Sequence, residues 1–82
     1  MYKEKSYVDV IVKMTRDKQM LPLSFTVYEF DKRYNYKVDK ITNIKRSAIF
    51  EGLNQIAFTC KSGMREYELI FSRNKWYVEF NT

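Results

Sequence analysis

Apolar and polar residues alternate along most of the chain, in short runs separated by turn-forming residues. Val8, Val10, Val12 and Met14 alternate with Asp9, Ile11 and Lys13. Ile56, Phe58 and Cys60 alternate with Gln55, Ala57 and Thr59, and Tyr67, Leu69 and Phe71 with Glu66, Glu68, Ile70 and Ser72. A period of two is the mark of strands with one buried face. It predicts strands at residues 7–15, 21–30, 34–41, 44–50, 55–61, 65–72 and 75–80. The first is dense in β-branched residues, which suit a pleated surface. The second places Leu23, Phe25 and Val27 on one face and Ser24, Thr26, Tyr28 and Phe30 on the other, so it has apolar residues on both sides. Pro22, with no amide to donate, belongs at a strand start or an edge.

The breaks carry their own chemistry. Residues 16–19 are polar and form a turn, and Asp31-Lys32-Arg33 separates two strand-like runs as a short hairpin connection would. Residues 51–54 form a loop. Gly63 and Asn74 supply positive φ for two tight turns, so the last three strands form a meander. Thr42-Asn43 marks a bend or bulge. Residues 42–50 stay open between strand and short helix, because Ile41, Ile44 and Ala48 also fit helical spacing and Thr42 can cap it.

Six or seven short strands at this spacing in 82 residues predict one all-β domain spanning 1–82. The expected architecture is a small antiparallel barrel or a strongly bent sheet, in the size class of SH3 and OB domains. Its core is expected to contain Val8, Val10, Val12, Leu23, Phe25, Val27, Tyr36, Val38, Phe58, Cys60, Leu69, Phe71, Trp76 and Val78. So short a chain buries a modest share of its surface, and 7 Tyr, 6 Phe and 1 Trp supply the bulk that compensates. The single cysteine forms no internal disulfide. Cys60 is in phase with Ile56 and Phe58 and is expected to be a small buried residue.

Composition narrows the function. No histidine is present, so histidine-based general base and triad chemistry is excluded, and with one cysteine the usual zinc ligand sets are excluded too. Glu66 and Glu68 share a face but lack the further oxygen ligands a calcium site needs. The expectation is a protein without catalytic residues, cofactor, metal or small-molecule substrate. No secretory leader is evident at the N-terminus, and no apolar run reaches the length of a membrane helix, so a cytoplasmic location without membrane attachment is expected.

The net charge is +5, and its distribution is uneven. Residues 1–46 carry 11 Lys and Arg against 6 Asp and Glu, whereas residues 47–82 carry 4 of each. Within this basic half, Tyr28, Phe30, Tyr34 and Tyr36 are interleaved with Lys32, Arg33, Lys37, Lys40, Lys45 and Arg46. Cations that neutralise phosphates beside rings that stack on bases are what single-strand-binding barrels use. Lys32, Arg33, Lys37, Lys40, Lys45 and Arg46 are therefore candidate phosphate contacts and Tyr34 a candidate stacking residue, for single-stranded or duplex nucleic acid. The same alternation allows the tyrosines to be core and the lysines an ordinary solvated face that guards an edge. A protein partner, or a second copy of the chain docking on the apolar surplus of the first two strands, is the rival expectation.

The order Pro22-Leu23-Ser24-Phe25, Tyr36-Lys37-Val38, Tyr67-Glu68-Leu69 and Trp76-Tyr77-Val78 resembles a class of small uncharacterised all-β bacterial domains. Some of these accompany translesion DNA polymerases. The likeness spans residues 22–78 and departs at Val27-Tyr28, where a Trp and a Gly-containing turn are expected. It implies a compact β fold and favours a nucleic-acid role. The matching residues are structural in character, so no functional residue follows from it.

Overall fold

The computed structural model describes residues 6–48 and 54–80. It contains seven strands: β1 (Ser6–Met14), β2 (Met20–Glu29), β3 (Lys32–Lys37), β4 (Lys40–Ala48), β5 (Asn54–Ser62), β6 (Arg65–Ser72) and β7 (Lys75–Phe80). All pair antiparallel in one sheet of order β3-β2-β1-β7-β6-β5-β4, which curls strongly into a half-barrel. No helix occurs among the described residues, and none there is long and apolar enough to cross a membrane. Residues 42–48 are strand, so the helical alternative fails for them; residues 49–53, which hold the end of the predicted fourth strand and most of the predicted loop, lie outside the described set.

The sheet is two meanders, β1–β3 and β4–β7, joined at two places. One is a short seam where β1 meets β7 through Ser6 opposite Val78 and Tyr7 opposite Tyr77. The other is the corner between β3 and β4, strands that lie at opposite ends of the sheet order. There the Val38 amide donates to the Leu23 carbonyl and the Asp39 amide to the Lys61 carbonyl, each at 2.9 Å. Ser62 Oγ donates to the Lys37 carbonyl at 2.5 Å, and the Gly63 amide donates to Asp39 Oδ2 at 2.7 Å. The Ser62 hydroxyl has one proton and spends it on Lys37, so Tyr67 is the donor in the 2.6 Å contact between the two hydroxyls.

Inside the curl, Val8, Phe25, Val27, Phe58, Cys60, Tyr67, Leu69 and Val78 form the buried core. Two aromatic groups fill it. Phe25 stacks on Tyr36 at 5.0 Å and meets Tyr67 at 5.0 Å, with Phe80 beside Tyr36 and Tyr67 and the Arg65 guanidinium 4.1 Å above the Phe80 ring. Trp76 stands between Phe58 and Phe71 at 5.8 and 5.0 Å. Val10, Tyr36, Val38 and Trp76 pack against the core while half-buried.

Three expectations are corrected. Leu23 is not core: it is 46% exposed, because a bulge on β2 sets Pro22, not Leu23, opposite Val12, and turns the proline inward instead. Pro22 is the third residue of β2 and pairs with β1 alone, since β3 is registered only with Ser24–Glu29, so it stands near a strand start with one side unpaired, as its missing amide requires. The β2–β3 turn is Phe30-Asp31, both at positive φ, one residue earlier than the polar run suggests. The third strand ends at Lys37 rather than running to Ile41, and the fourth begins at Lys40 rather than at residue 44; the bulge expected at Thr42-Asn43 is present, inside β4.

Candidate nucleic-acid interface

The seven basic and aromatic residues singled out in the sequence sit on the two outermost strands. Lys32, Arg33, Tyr34 and Lys37 belong to β3; Lys40, Lys45 and Arg46 belong to β4. Alternation then divides them. On β3, Tyr34 lies opposite core Val27 and Tyr36 opposite core Phe25, so Lys32 and Tyr34 share the concave side. Arg33 and Lys37 take the outer face. On β4, Ile44 lies opposite core Phe58, which puts Arg46 on the concave side and Lys40 and Lys45 outside. The structure thus gathers Arg33, Lys37, Lys40 and Lys45 on the outer surface, and leaves Lys32, Tyr34 and Arg46 on the concave rim. Arg46 there lines a cavity of about 270 Å³ with Ser47, Asn54 and Ile56.

The register discloses a feature that spacing alone conceals. Arg33 lies opposite Tyr28, Tyr7 opposite Tyr77, Tyr77 opposite Ile70, Ile70 opposite Ala57, and Ala57 opposite Lys45. One step along from the Val8–Val27 pair, Tyr7 and Tyr28 become neighbours. One row therefore crosses all seven strands on the outer face: Arg33, Tyr28, Tyr7, Tyr77, Ile70, Ala57, Lys45. Three tyrosines stand side by side in it, and a cation closes each end. Tyr7 and Tyr28 are 69% and 54% exposed, unusual values for rings in the middle of a sheet. Tyr7 meets Tyr77 edge-on at 6.1 Å, and the Lys75 ammonium lies 5.4 Å from the Tyr7 ring centre.

Beside the row lies a polar strip. The Tyr28 hydroxyl donates to Asp9 Oδ2 at 2.9 Å, and Thr26 donates to Asn35 Oδ1 on the adjoining strand. The hydrogen bond to the Asp9 carboxylate is the main reason the Tyr28 phenol titrates above its ordinary value. Arg33 and Lys37 flank Asn35 along β3. The face of β1–β3 thus presents two accessible rings, amide and hydroxyl groups, and cations. The corresponding face of β6 and β7 sets Glu68 opposite Glu79.

Sequence reasoning missed Tyr7 and Lys75 and left Tyr28 without a role. Tyr7 is out of phase with Val8 and Val10, which is the local sign that it points outward. Lys75 joins it only through tertiary structure. Among the described residues, no three His, Cys, Asp or Glu come together as a metal site. Comparison with family models, curated proteins and solved structures finds no match to this chain.

Proposed function

We propose that this chain is a non-enzymatic accessory domain that binds single-stranded nucleic acid on the outer face of β1–β3. The observation that carries the reading is the row Arg33–Tyr28–Tyr7 with Lys75 against Tyr7: two exposed rings on neighbouring strands, whose backbones lie about 4.8 Å apart, bracketed by cations. Rings of this kind stack on bases without regard to sequence, while Arg33, Lys37 and Lys75 neutralise the backbone. Asn35 and Thr26 supply polar groups that contact base or sugar edges beside the rings. The curled sheet presents a convex surface, which suits unstacked bases better than a stiff duplex. The positive excess of the first 46 residues and the resemblance to domains that accompany translesion polymerases favour the same reading.

The test is fluorescence anisotropy of labelled single-stranded and duplex DNA and RNA at 50 and 200 mM salt. Single strands should bind, with affinity falling about tenfold or more between the two salts as counterions are released. Tyr7→Ala and Tyr28→Ala should each weaken binding by about tenfold, the range of one lost stacking contact. Arg33→Ala and Lys37→Ala should each lower the salt slope by about one. Lys32→Ala with Arg46→Ala, on the concave rim, should change little. No binding at 50 mM salt overturns the proposal.

A further inference from the structure

We propose that two copies of this chain pair through the free edge of β1, antiparallel about a twofold axis at Ile11. The first observation is an edge where the strand order shows none. β1 lies between β2 and β7, yet it is registered with β7 only through Ser6 and Tyr7. From Val8 to Met14 it pairs with β2 alone. The strands diverge there around a cleft of about 560 Å³, lined by Tyr7, Val8, Asp9 and Val10 on one side and Asn74, Lys75 and Trp76 on the other. A strand with one side of its backbone unpaired is a template for another strand.

The second observation is the apolar surface at the same place. On the outer face Ile11 is 65% exposed, with Leu23 exposed at the bulge beside it, and on the opposite face of the same strand Met14 is 59% exposed. This is the apolar surplus of the first two strands, and the fold does not absorb it.

The third observation identifies the occupant. In a twofold pairing, residue i of one copy faces residue j of the other with i and j summing to a constant. With Ile11 opposite Ile11 of the second copy, Val10 faces Val12, and Asp9 faces Lys13, twice over. Asp9, Ile11 and Lys13 all lie on the outer face and are exposed, so each opposed pair meets on one surface. No other register sets Asp9 against Lys13. Centred on Val10 it places Asp9 over Ile11; centred on Val12 it places Lys13 over Ile11. Opposite charges directly across an antiparallel pair stabilise it and like charges destabilise it, so the sequence of the edge selects its own copy in one alignment. Asp9 keeps an oxygen for this contact, since Tyr28 occupies Oδ2 alone. The two three-stranded meanders then join as one six-stranded sheet.

The experiment is sedimentation velocity of the protein without nucleic acid, from about 5 to 500 µM, on the wild type, Asp9→Lys and Lys13→Asp. The wild type should show a concentration-dependent dimer. Each reversal sets like charges opposite each other at two places and should weaken the dimer at least about tenfold. In an equimolar mixture of the two variants a lysine of one faces an aspartate of the other at both places, so the mixture should dimerise again. The mixture keeps the inference testable if Asp9→Lys, which also loses the Tyr28 bond, is less stable, because recovery needs two folded partners; circular dichroism of each variant checks this. A wild type that stays monomeric throughout overturns the inference. So does a dimer indifferent to both reversals, or a mixture that fails to associate while both variants are folded.

Discussion

Tyr67 and Cys60 are the two titratable groups the core holds most firmly. Both are fully buried, and both are kept protonated by burial: the Tyr67 phenol is pushed up to about 12 from an ordinary 10.0, and the Cys60 thiol to about 11 from 9.0. In each case the folded state holds its proton more tightly than the unfolded chain. Stability is therefore complete below pH 9 and is lost as pH rises towards 12, by about 2–3 kcal/mol for each group. Urea denaturation between pH 8 and 12 should show this fall, and Cys60→Ala should remove the part between pH 9 and 11. The burial of Cys60 is legible in the sequence, because its phase with Ile56 and Phe58 needs no knowledge of neighbours. The tyrosine's role is not. Its hydroxyl is accommodated by Ser62, five residues away, which in turn satisfies the Lys37 carbonyl, 25 residues from Ser62. Leu23 shows the opposite failure: a perfect alternation is interrupted by a bulge that no local pattern announces.

Strands are legible in the sequence, and so are the turns at Gly63 and Asn74, both at positive φ as expected; the β2–β3 turn and the β3–β4 corner are not. All seven strands are where the period of two puts them, within a few residues. The β2–β3 turn escapes the pattern because Phe30 continues the apolar run, while the backbone reverses at Phe30-Asp31 with φ of 48° and 64°. A phenylalanine in the left-handed region carries a steric cost of about 1 kcal/mol, and at 95% exposure its ring returns nothing through packing. Phe30→Asn, a residue that tolerates this conformation, should therefore raise stability by about 1 kcal/mol and Tm by about 4 °C or more in a thermal melt. A lower Tm would mean that the ring packs against something in solution. The break between β3 and β4 is hidden for a related reason. Val38 stays in phase with Tyr34 and Tyr36, so periodicity runs through the corner; the corner is imposed by the Leu23 and Lys61 carbonyls that capture residues 38 and 39.

For the whole molecule, the two meanders share one core, and their backbones join at two narrow junctions, the β1–β7 seam and the corner at residues 37–39. Ser62→Ala removes the hydroxyl that links Tyr67 to Lys37 and leaves both without that partner, which should cost about 1–3 kcal/mol. Amide exchange followed by mass spectrometry should find β3 and β4 losing protection before β5 and β6. An even loss across all strands would show that the corner does not govern the opening. The candidate interface is only partly legible at this scale: the basic half is evident from charge, but its division between two faces depends on alternation within edge strands. The tyrosine row depends on the register of every strand in turn. The β1–β7 seam also bears on how the fold is reached. It joins residues 6–7 to residues 77–78, nearly the full described length apart, so its closure carries a large loop entropy and comes late. During synthesis β1 to β3 leave the ribosome well before β7 exists, with Val8 and Phe25 uncovered and an open strand edge beside them. That nascent half-sheet is the species most prone to aggregate or to recruit a chaperone.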